Sequence, residues 1–211
     1  ITHLRIASTG EHPAMNTSEG HLGGYISAKH PRSAEFGMEH GDSATWAPQL
    51  WRWIRSELQV DSVLDVGCGE GHAAGFFRDL GCRIGGVDGS ALALQDSVIP
   101  EVHLKHDYSI GPFLPEDDYE LVWCCEFVEH VEEKFVDNFL TTFNCATKYI
   151  FMTAAPLGQP GWHHVNCQPP GYWIERVENL GFSFAPELTE EARQRAGAGH
   201  FSRQGLVFER A

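Results

Sequence analysis

The chain has 211 residues, 42% of them hydrophobic, which suffices for one hydrophobic core and argues against a repeat array or a multidomain protein. Its 15 Lys and Arg residues are outnumbered by 29 Asp and Glu, and the formal net charge is −14. Because the basic residues are scattered singly, this charge argues against nucleic acid and anionic membranes as partners.

The six cysteines form no Cys-x-x-Cys pair, and several lie in apolar runs, as buried free thiols do. No apolar stretch approaches the roughly 18 residues that span a bilayer, and the first residues lack a basic-then-apolar signal layout. We therefore expect a soluble, cytoplasmic protein.

Two regions are predicted along the chain. Residues 1–42 have no clear periodicity and are expected to form an irregular arm or lid. Residues 43–211 are expected to form one domain. That domain begins with an amphipathic helix over residues 43–59, in which apolar side chains recur every three to four residues.

Short apolar strands then alternate with helix-length segments. The predicted strands cover residues 62–67, 83–88, 102–105, 119–125, 149–154, 182–185 and 206–209. The predicted helices cover residues 71–80, 91–97, a segment striped with apolar residues over 131–143, and 171–180. This alternation predicts an α/β fold: a doubly wound, mostly parallel seven-stranded sheet with helices on both faces.

The loop after the first strand has three glycines at alternate positions, in the sequence Asp65-Val66-Gly67-Cys68-Gly69-Glu70-Gly71. Glycines let the backbone turn tightly and approach a ligand closely. Asp88 ends the second strand, 21 residues after Gly67. At that distance a carboxylate can accept hydrogen bonds from ribose hydroxyls.

Two cofactors compete for this loop. A dinucleotide requires Gly-x-Gly-x-x-Gly, but here the third glycine comes one position early, and Asp65 would repel a pyrophosphate. A cationic ligand with an amine, such as S-adenosylmethionine, suits Asp65 better. A tight glycine turn that binds no cofactor is the structural alternative.

The loop and the later Val87-Asp88-Gly89-Ser90 resemble the S-adenosylmethionine-dependent methyltransferases of the class I, Rossmann-like type, over about residues 43–211. The resemblance implies that the glycine loop holds the methionine part, Asp88 the ribose and Asp107 the adenine edge, although Asp107 could simply cap a turn. The full predicted cofactor-binding set is Asp65, Gly67, Cys68, Gly69, Gly71, Asp88, Gly89, Asp107 and Glu126.

A second cluster follows the fourth strand. In a helical turn, Glu126, Glu129 and His130 would project from one face and suit Mg, Mn, Fe or Zn. The loop after the fifth strand adds His163 and His164 at the same edge of the sheet, where either could be a further ligand.

This Glu-x-x-Glu-His spacing resembles a metal-dependent methyltransferase subset, the small-RNA 2′-hydroxyl methyltransferases and the ubiquinone-pathway O-methyltransferases. The chain lacks a basic surface for RNA, so we expect a small-molecule acceptor. The predicted activity is O-methylation by in-line displacement, with His163, His164 or His130 as catalytic residues and a divalent metal assisting. Two alternatives stay open: a metal-free N- or C-methyltransferase, and an inactive module that binds S-adenosylmethionine.

Overall fold

The computed structural model describes residues 42–211. The predicted arm therefore lies outside the described residues, except for Asp42. None of the helices in the described range is long and apolar enough to cross a membrane.

After a 3₁₀ turn at Ser43–Thr45, the helices are α1 (Pro48–Ser56), α2 (His72–Asp79), α3 (Ala91–Gln95), α4 (Val136–Phe143), α5 (Pro170–Glu178), α6 (Pro186–Arg195) and α7 (His200–Gln204). The strands are β1 (Ser62–Val66), β2 (Arg83–Asp88), β3 (His103–Lys105), β4 (Tyr119–Cys124), β5 (Ala146–Thr153), β6 (Phe182–Phe184) and β7 (Gly205–Arg210).

The strands form one sheet in the order β3-β2-β1-β4-β5-β7-β6. Strands β1 to β5 run parallel, whereas β7 is antiparallel to both β5 and β6. The predicted α/β fold, with its mostly parallel seven-stranded sheet, is confirmed. Because β1 lies beside β4, where the strand order reverses, the loop that follows β1 opens at the point of the carboxyl edge where ligands bind in such sheets.

Successive side chains of each central strand point to opposite faces of the sheet, so each strand contributes to two separate hydrophobic cores. In β4, Val122 and Cys124 pack with helices α4 and α5, whereas Leu121 and Trp123 pack with α1, α2, α6 and α7. The sheet is thus covered on both faces, as a parallel sheet requires.

Three local predictions differ from the structure. The first helix begins only at Pro48, because proline fits the first turn of a helix and its predecessor prefers an extended backbone. Two 3₁₀ turns, Val128–His130 and Glu133–Phe135, precede α4 where one helix was expected. Helices α6 and α7 were not predicted. The buried residues of α6 are Thr189 and Ala192, which make no apolar stripe.

Candidate active site

The glycine loop connects β1 to α2 and has the backbone that only glycine adopts easily. Gly67, Gly69 and Gly71 all have positive φ angles, of 72°, 53° and 83°. A Cβ on Gly67 would collide with the ring of Phe127, so that glycine is also required by packing. The loop exposes its backbone to a cavity of about 860 Å³ at the carboxyl edge of the sheet.

Asp65 lies at the base of this cavity and is only 3% exposed. Its carboxylate accepts a hydrogen bond from the backbone N–H of Ala74 in the first turn of α2, at 3.3 Å. Burial, opposed by that hydrogen bond and reinforced by the nearby Asp88 carboxylate, raises the pKa of Asp65 to about 7. A ligand ammonium group beside Asp65 would restore its charge.

Asp88, at the end of β2, has a fixed orientation. Its two carboxylate oxygens accept hydrogen bonds from the backbone N–H groups of Gly69 (2.9 Å) and Ser90 (2.7 Å). Asp107 lies farther along the edge, and its Oδ1 accepts from the N–H of Ser109 at 2.7 Å. Both carboxylates line the cavity, and Asp107 caps the local turn as well.

Most of the predicted cofactor-binding residues meet at this cavity. Those that line it are Asp65, Gly67, Cys68, Gly69, Asp88, Gly89, Asp107 and Glu126. Gly71 is not among the lining residues; it caps the start of α2, where a Cβ would press on Ile99.

Three of the predicted metal ligands come together. Glu129, His130 and His164 each offer a ligand atom, and these atoms lie within 4.8 Å of one another. The loop after β5, which carries His164, is fixed there because the backbone N–H groups of Val165 and Asn166 both donate to the Glu129 carbonyl at 3.0 Å.

The Glu129 side chain is fully buried, and within the described residues no donor lies in good hydrogen-bond geometry to either carboxylate oxygen. Burial and the neighbouring Glu126 carboxylate raise the pKa of Glu129 to about 8, although the nearby backbone N–H groups of Glu129, Ala155 and Phe127 oppose this rise. Burial and the proximity of His164 lower the pKa of His130 to about 4, so this imidazole is neutral at physiological pH. A buried carboxylate without a partner is costly unless it is protonated or holds a cation.

Glu126 lies apart from that cluster, contrary to the expectation that one helical face presents all three side chains. It precedes the 3₁₀ turn and has a φ of 55°, which directs its side chain elsewhere. Its Oε1 accepts from the Thr153 hydroxyl (3.0 Å) and the Gln204 amide (2.7 Å), and its Oε2 lies 3.3 Å from Nδ1 of His200.

The two adjacent loop histidines diverge. Nδ1 of His164 lies 3.2 Å from the Gln159 carbonyl, which leaves Nε2 for a ligand. His163 has a φ of 53° and an exposed side chain at the rim of the cavity. Partial desolvation lowers the pKa of His163.

Sequence reasoning missed four polar residues at the site: Asp42, Thr153, His200 and Gln204. Thr153 ends β5, so the carboxyl-edge rule could have found it. His200 and Gln204 lie on α7, a five-residue helix without a recognisable pattern.

The central glycine loop, the two strand-end carboxylates and the sheet order define a class I S-adenosylmethionine-dependent methyltransferase. A family profile described as "Methyltransferase domain" matches residues 33–183, more than half of the chain. The chain belongs to this methyltransferase family.

Individual relatives agree with this class. The ubiquinone biosynthesis O-methyltransferase of Thiobacillus denitrificans is 32% identical over 98 residues. That alignment covers 41% of each protein, so the chain spans less than half the length of this curated relative.

Two solved structures share the fold. The magnesium protoporphyrin IX methyltransferase of Synechocystis PCC 6803 with bound SAH has a TM-score of 0.57 at 16% identity, covering 77% of this chain and 80% of that one. A TehB-like SAM-dependent methyltransferase of Corynebacterium glutamicum has a TM-score of 0.57 at 17% identity, covering 85% and 95%.

Proposed function

We propose that this enzyme transfers the methyl group of S-adenosylmethionine to a hydroxyl group of a small acceptor, assisted by a divalent metal. One observation supports both the presence of a metal ion and an oxygen atom as the methyl acceptor. It is the buried carboxylate of Glu129, without a donor in good hydrogen-bond geometry, beside His130 and His164. A hydroxyl needs activation to become a nucleophile, and a cation beside it supplies this. The named O-methyltransferase relative supports the same chemistry over the aligned part.

The three residues fit a metal ion. Their donors are a carboxylate oxygen and two imidazole nitrogens, a set that suits Mn, Fe or Zn better than Mg. His130 is neutral and Nδ1 has no hydrogen-bond partner among the described residues, as a ligand nitrogen requires. A bound ion would lower the pKa of an acceptor hydroxyl.

The donor is held by residues of the chain itself. In this proposal Asp65 receives the ammonium group, the backbone of the glycine loop accommodates the methionine part, and Asp88 accepts hydrogen bonds from the ribose hydroxyls. Asp107, which lines the same cavity, is the proposed partner of the adenine edge. Such fixed partners align the sulfur and the methyl carbon with the nucleophile, which turns an encounter of two molecules into an internal step.

His163 is the proposed general base. Its lowered pKa keeps the imidazole neutral at physiological pH, so it can accept the hydroxyl proton. The acceptor oxygen then forms a bond to the methyl carbon while the carbon–sulfur bond breaks. The electron pair of that bond goes to sulfur and leaves neutral S-adenosylhomocysteine.

Chelation and reconstitution test the metal. We expect turnover to fall after treatment with a chelator and to return with Mn²⁺, Fe²⁺ or Zn²⁺, while donor affinity measured by calorimetry is unchanged. Glu129→Gln should abolish the metal stimulation, whereas Glu133→Gln, an exposed residue nearby, should not. Full activity after complete chelation would instead support the metal-free alternative, and donor binding without turnover of any acceptor would support an inactive module.

A further inference from the structure

The cavity carries an excess of negative charge. Within the part of the chain that the structure describes, no Lys or Arg lines it. The carboxylates that line it, apart from Glu132, are Asp42, Asp65, Glu70, Asp88, Asp107 and Glu126. Glu132 also lines the cavity, and it forms an exposed ion pair with Lys134 at 2.7 Å.

The part of the cavity lined by Asp42, Glu126 and His200, which we call the acceptor side, has a negative charge that is only partly neutralised. His200 lies between Asp42 (3.2 Å) and Glu126 (3.3 Å), so one imidazole, which carries at most one positive charge, faces two carboxylates. Arg203 contacts His200 from outside the lining. A divalent ion held by Glu129 would add one net positive charge at the proposed metal site, which is fewer than the remaining carboxylates that line the cavity.

The walls around these carboxylates are apolar. Trp46, which is 47% exposed, Val131 and Phe135 line the same cavity. Trp46 packs edge-on against Trp51 and Phe76, with ring centroids 5.0 and 5.5 Å apart, which fixes its ring at the mouth. Such walls suit an apolar body, and the field inside them is poorly screened.

We infer that the acceptor is a small molecule with an apolar body and no anionic group, and that the cavity selects against carboxylated or phosphorylated acceptors. This inference rests on the proposed function for the chemistry of transfer, but its electrostatic part stands alone. Like charges that are brought together in a desolvated site oppose binding, whereas neutral and cationic groups are not penalised.

Quenching of Trp46 fluorescence measures the electrostatic potential at the mouth of the cavity, and it needs no acceptor molecule. The Trp46→Phe variant is subtracted so that only Trp46 reports, and caesium, iodide and neutral acrylamide are compared at constant ionic strength. Each quencher is normalised to free tryptophan amide. A local potential of about one kT would make caesium roughly sevenfold more effective than iodide.

Asp42→Asn should reduce the preference for caesium, while Glu175→Gln, an exposed residue of α5, makes the same change of charge and should not. Equal or stronger quenching by iodide overturns the inference.

Turnover of charge-matched acceptors tests selection directly. The probes are dihydroxybenzenes that carry a methyl, a carboxylate or an aminomethyl group at the same ring position. We expect kcat/KM to be lower for the carboxylate than for the other two by about tenfold, and a carboxylate that performs as well as its methyl counterpart overturns the inference.

The two proposals fail separately. Methylation of the aminomethyl probe at nitrogen alone, with caesium still preferred, would overturn O-methylation and leave the charge selection standing.

Discussion

Oδ2 of Asp42 lies 3.2 Å from Nε2 of His200, although 158 residues separate the two in sequence. The pair joins the segment before α1 to helix α7 at the mouth of the cavity. The other nitrogen of His200 lies 3.3 Å from Glu126, so one imidazole links three elements around the acceptor side. The contacts of His200 with Asp42 and Glu126 thus close one wall of the cavity.

The first prediction concerns the stability that this pair contributes. The Asp42 hydrogen bond and the charges of Glu126 and Asp42 outweigh desolvation and raise the pKa of His200 above 6.5, and His200 lowers the pKa of Asp42 below 3.8. The contribution of His200 to the free energy of unfolding is therefore fully present below pH 6.5 and is lost as the pH rises through the folded-state pKa of His200. That of Asp42 is present above pH 3.8 and is lost at lower pH.

We accordingly expect His200→Gln to lower the free energy of unfolding by about 1–2 kcal/mol near pH 6, and by less at pH 9. Urea denaturation at the two pH values measures this. His72→Gln is the control, because His72 pairs with Glu70 at 3.0 Å but has a 60% exposed side chain. A loss of the same size at both pH values would contradict the ionic role.

The second prediction concerns donor affinity and pH. The ammonium group of the donor binds the ionised form of Asp65, whose pKa is about 7 in the free protein. Affinity should therefore rise by up to about tenfold per pH unit from pH 5 to 7, and fall above about pH 8 as the donor amine loses its proton.

Calorimetry with S-adenosylmethionine measures this profile, and Asp65→Asn should weaken binding and flatten the acidic limb. Methylthioadenosine, which lacks the amino acid part, serves as the control ligand and should show no such limb. A flat profile with the full donor would remove Asp65 from the ammonium site.

The third prediction is that Asp65 destabilises the ligand-free protein. Its pKa rises from 3.8 to about 7 on folding, so the folded state retains the proton in that range and stability falls as pH increases from about 4 to 7. At pH 8, Asp65→Asn should raise the free energy of unfolding by roughly 1–3 kcal/mol, or about 2–4 °C in Tm per kcal/mol. Calorimetric melting at pH 8 and pH 4 checks the sign; a lower Tm at pH 8 would disprove it.

The fourth prediction separates two reasons why a position requires glycine, namely a positive φ angle and a lack of space for a Cβ atom. Gly67 and Gly81 have similar φ angles, 72° and 88°, but a Cβ on Gly81 meets nothing within 4 Å, whereas one on Gly67 meets the Phe127 ring. Gly81→Ala should therefore cost only the backbone strain, about 1–2 kcal/mol. Gly67→Ala should cost clearly more and also weaken donor binding. Chemical denaturation of both variants gives the comparison, and equal costs would show that Phe127 moves aside freely.

The fifth prediction concerns metal affinity. Because burial and Glu126 raise the pKa of Glu129, protons compete with the metal at neutral pH, whereas His130, with a pKa of about 4, stays available. Affinity for Zn²⁺ or Mn²⁺ should increase with pH through the neutral range, and Glu129→Gln should remove that increase. Titration monitored by calorimetry measures it; an unchanged slope in the variant would assign the proton to another group.

The central part of the fold was predictable because its signals are local. The predicted strand over residues 83–88 has the observed bounds, and the other strands differ by at most three residues at an end. Short apolar runs bounded by turns, and glycines at positions that need a positive φ angle, can be recognised without knowledge of distant residues. Helix α6 was missed for the converse reason, since it is held by contacts of small and polar residues with β7.

By itself, the sequence determined the parallel sheet, the glycine loop after β1 and the carboxylates of Asp65 and Asp88 at its edge, because strand alternation and turn geometry act over a few residues. Only the tertiary structure decided that Glu126 turns to Thr153 and His200 while Glu129 stays buried beside His130 and His164. Sequence spacing predicts which side chains lie on the same face of a segment only if that segment is an α-helix. Here the positive φ of Glu126 and the packing of remote elements set the direction of each carboxylate.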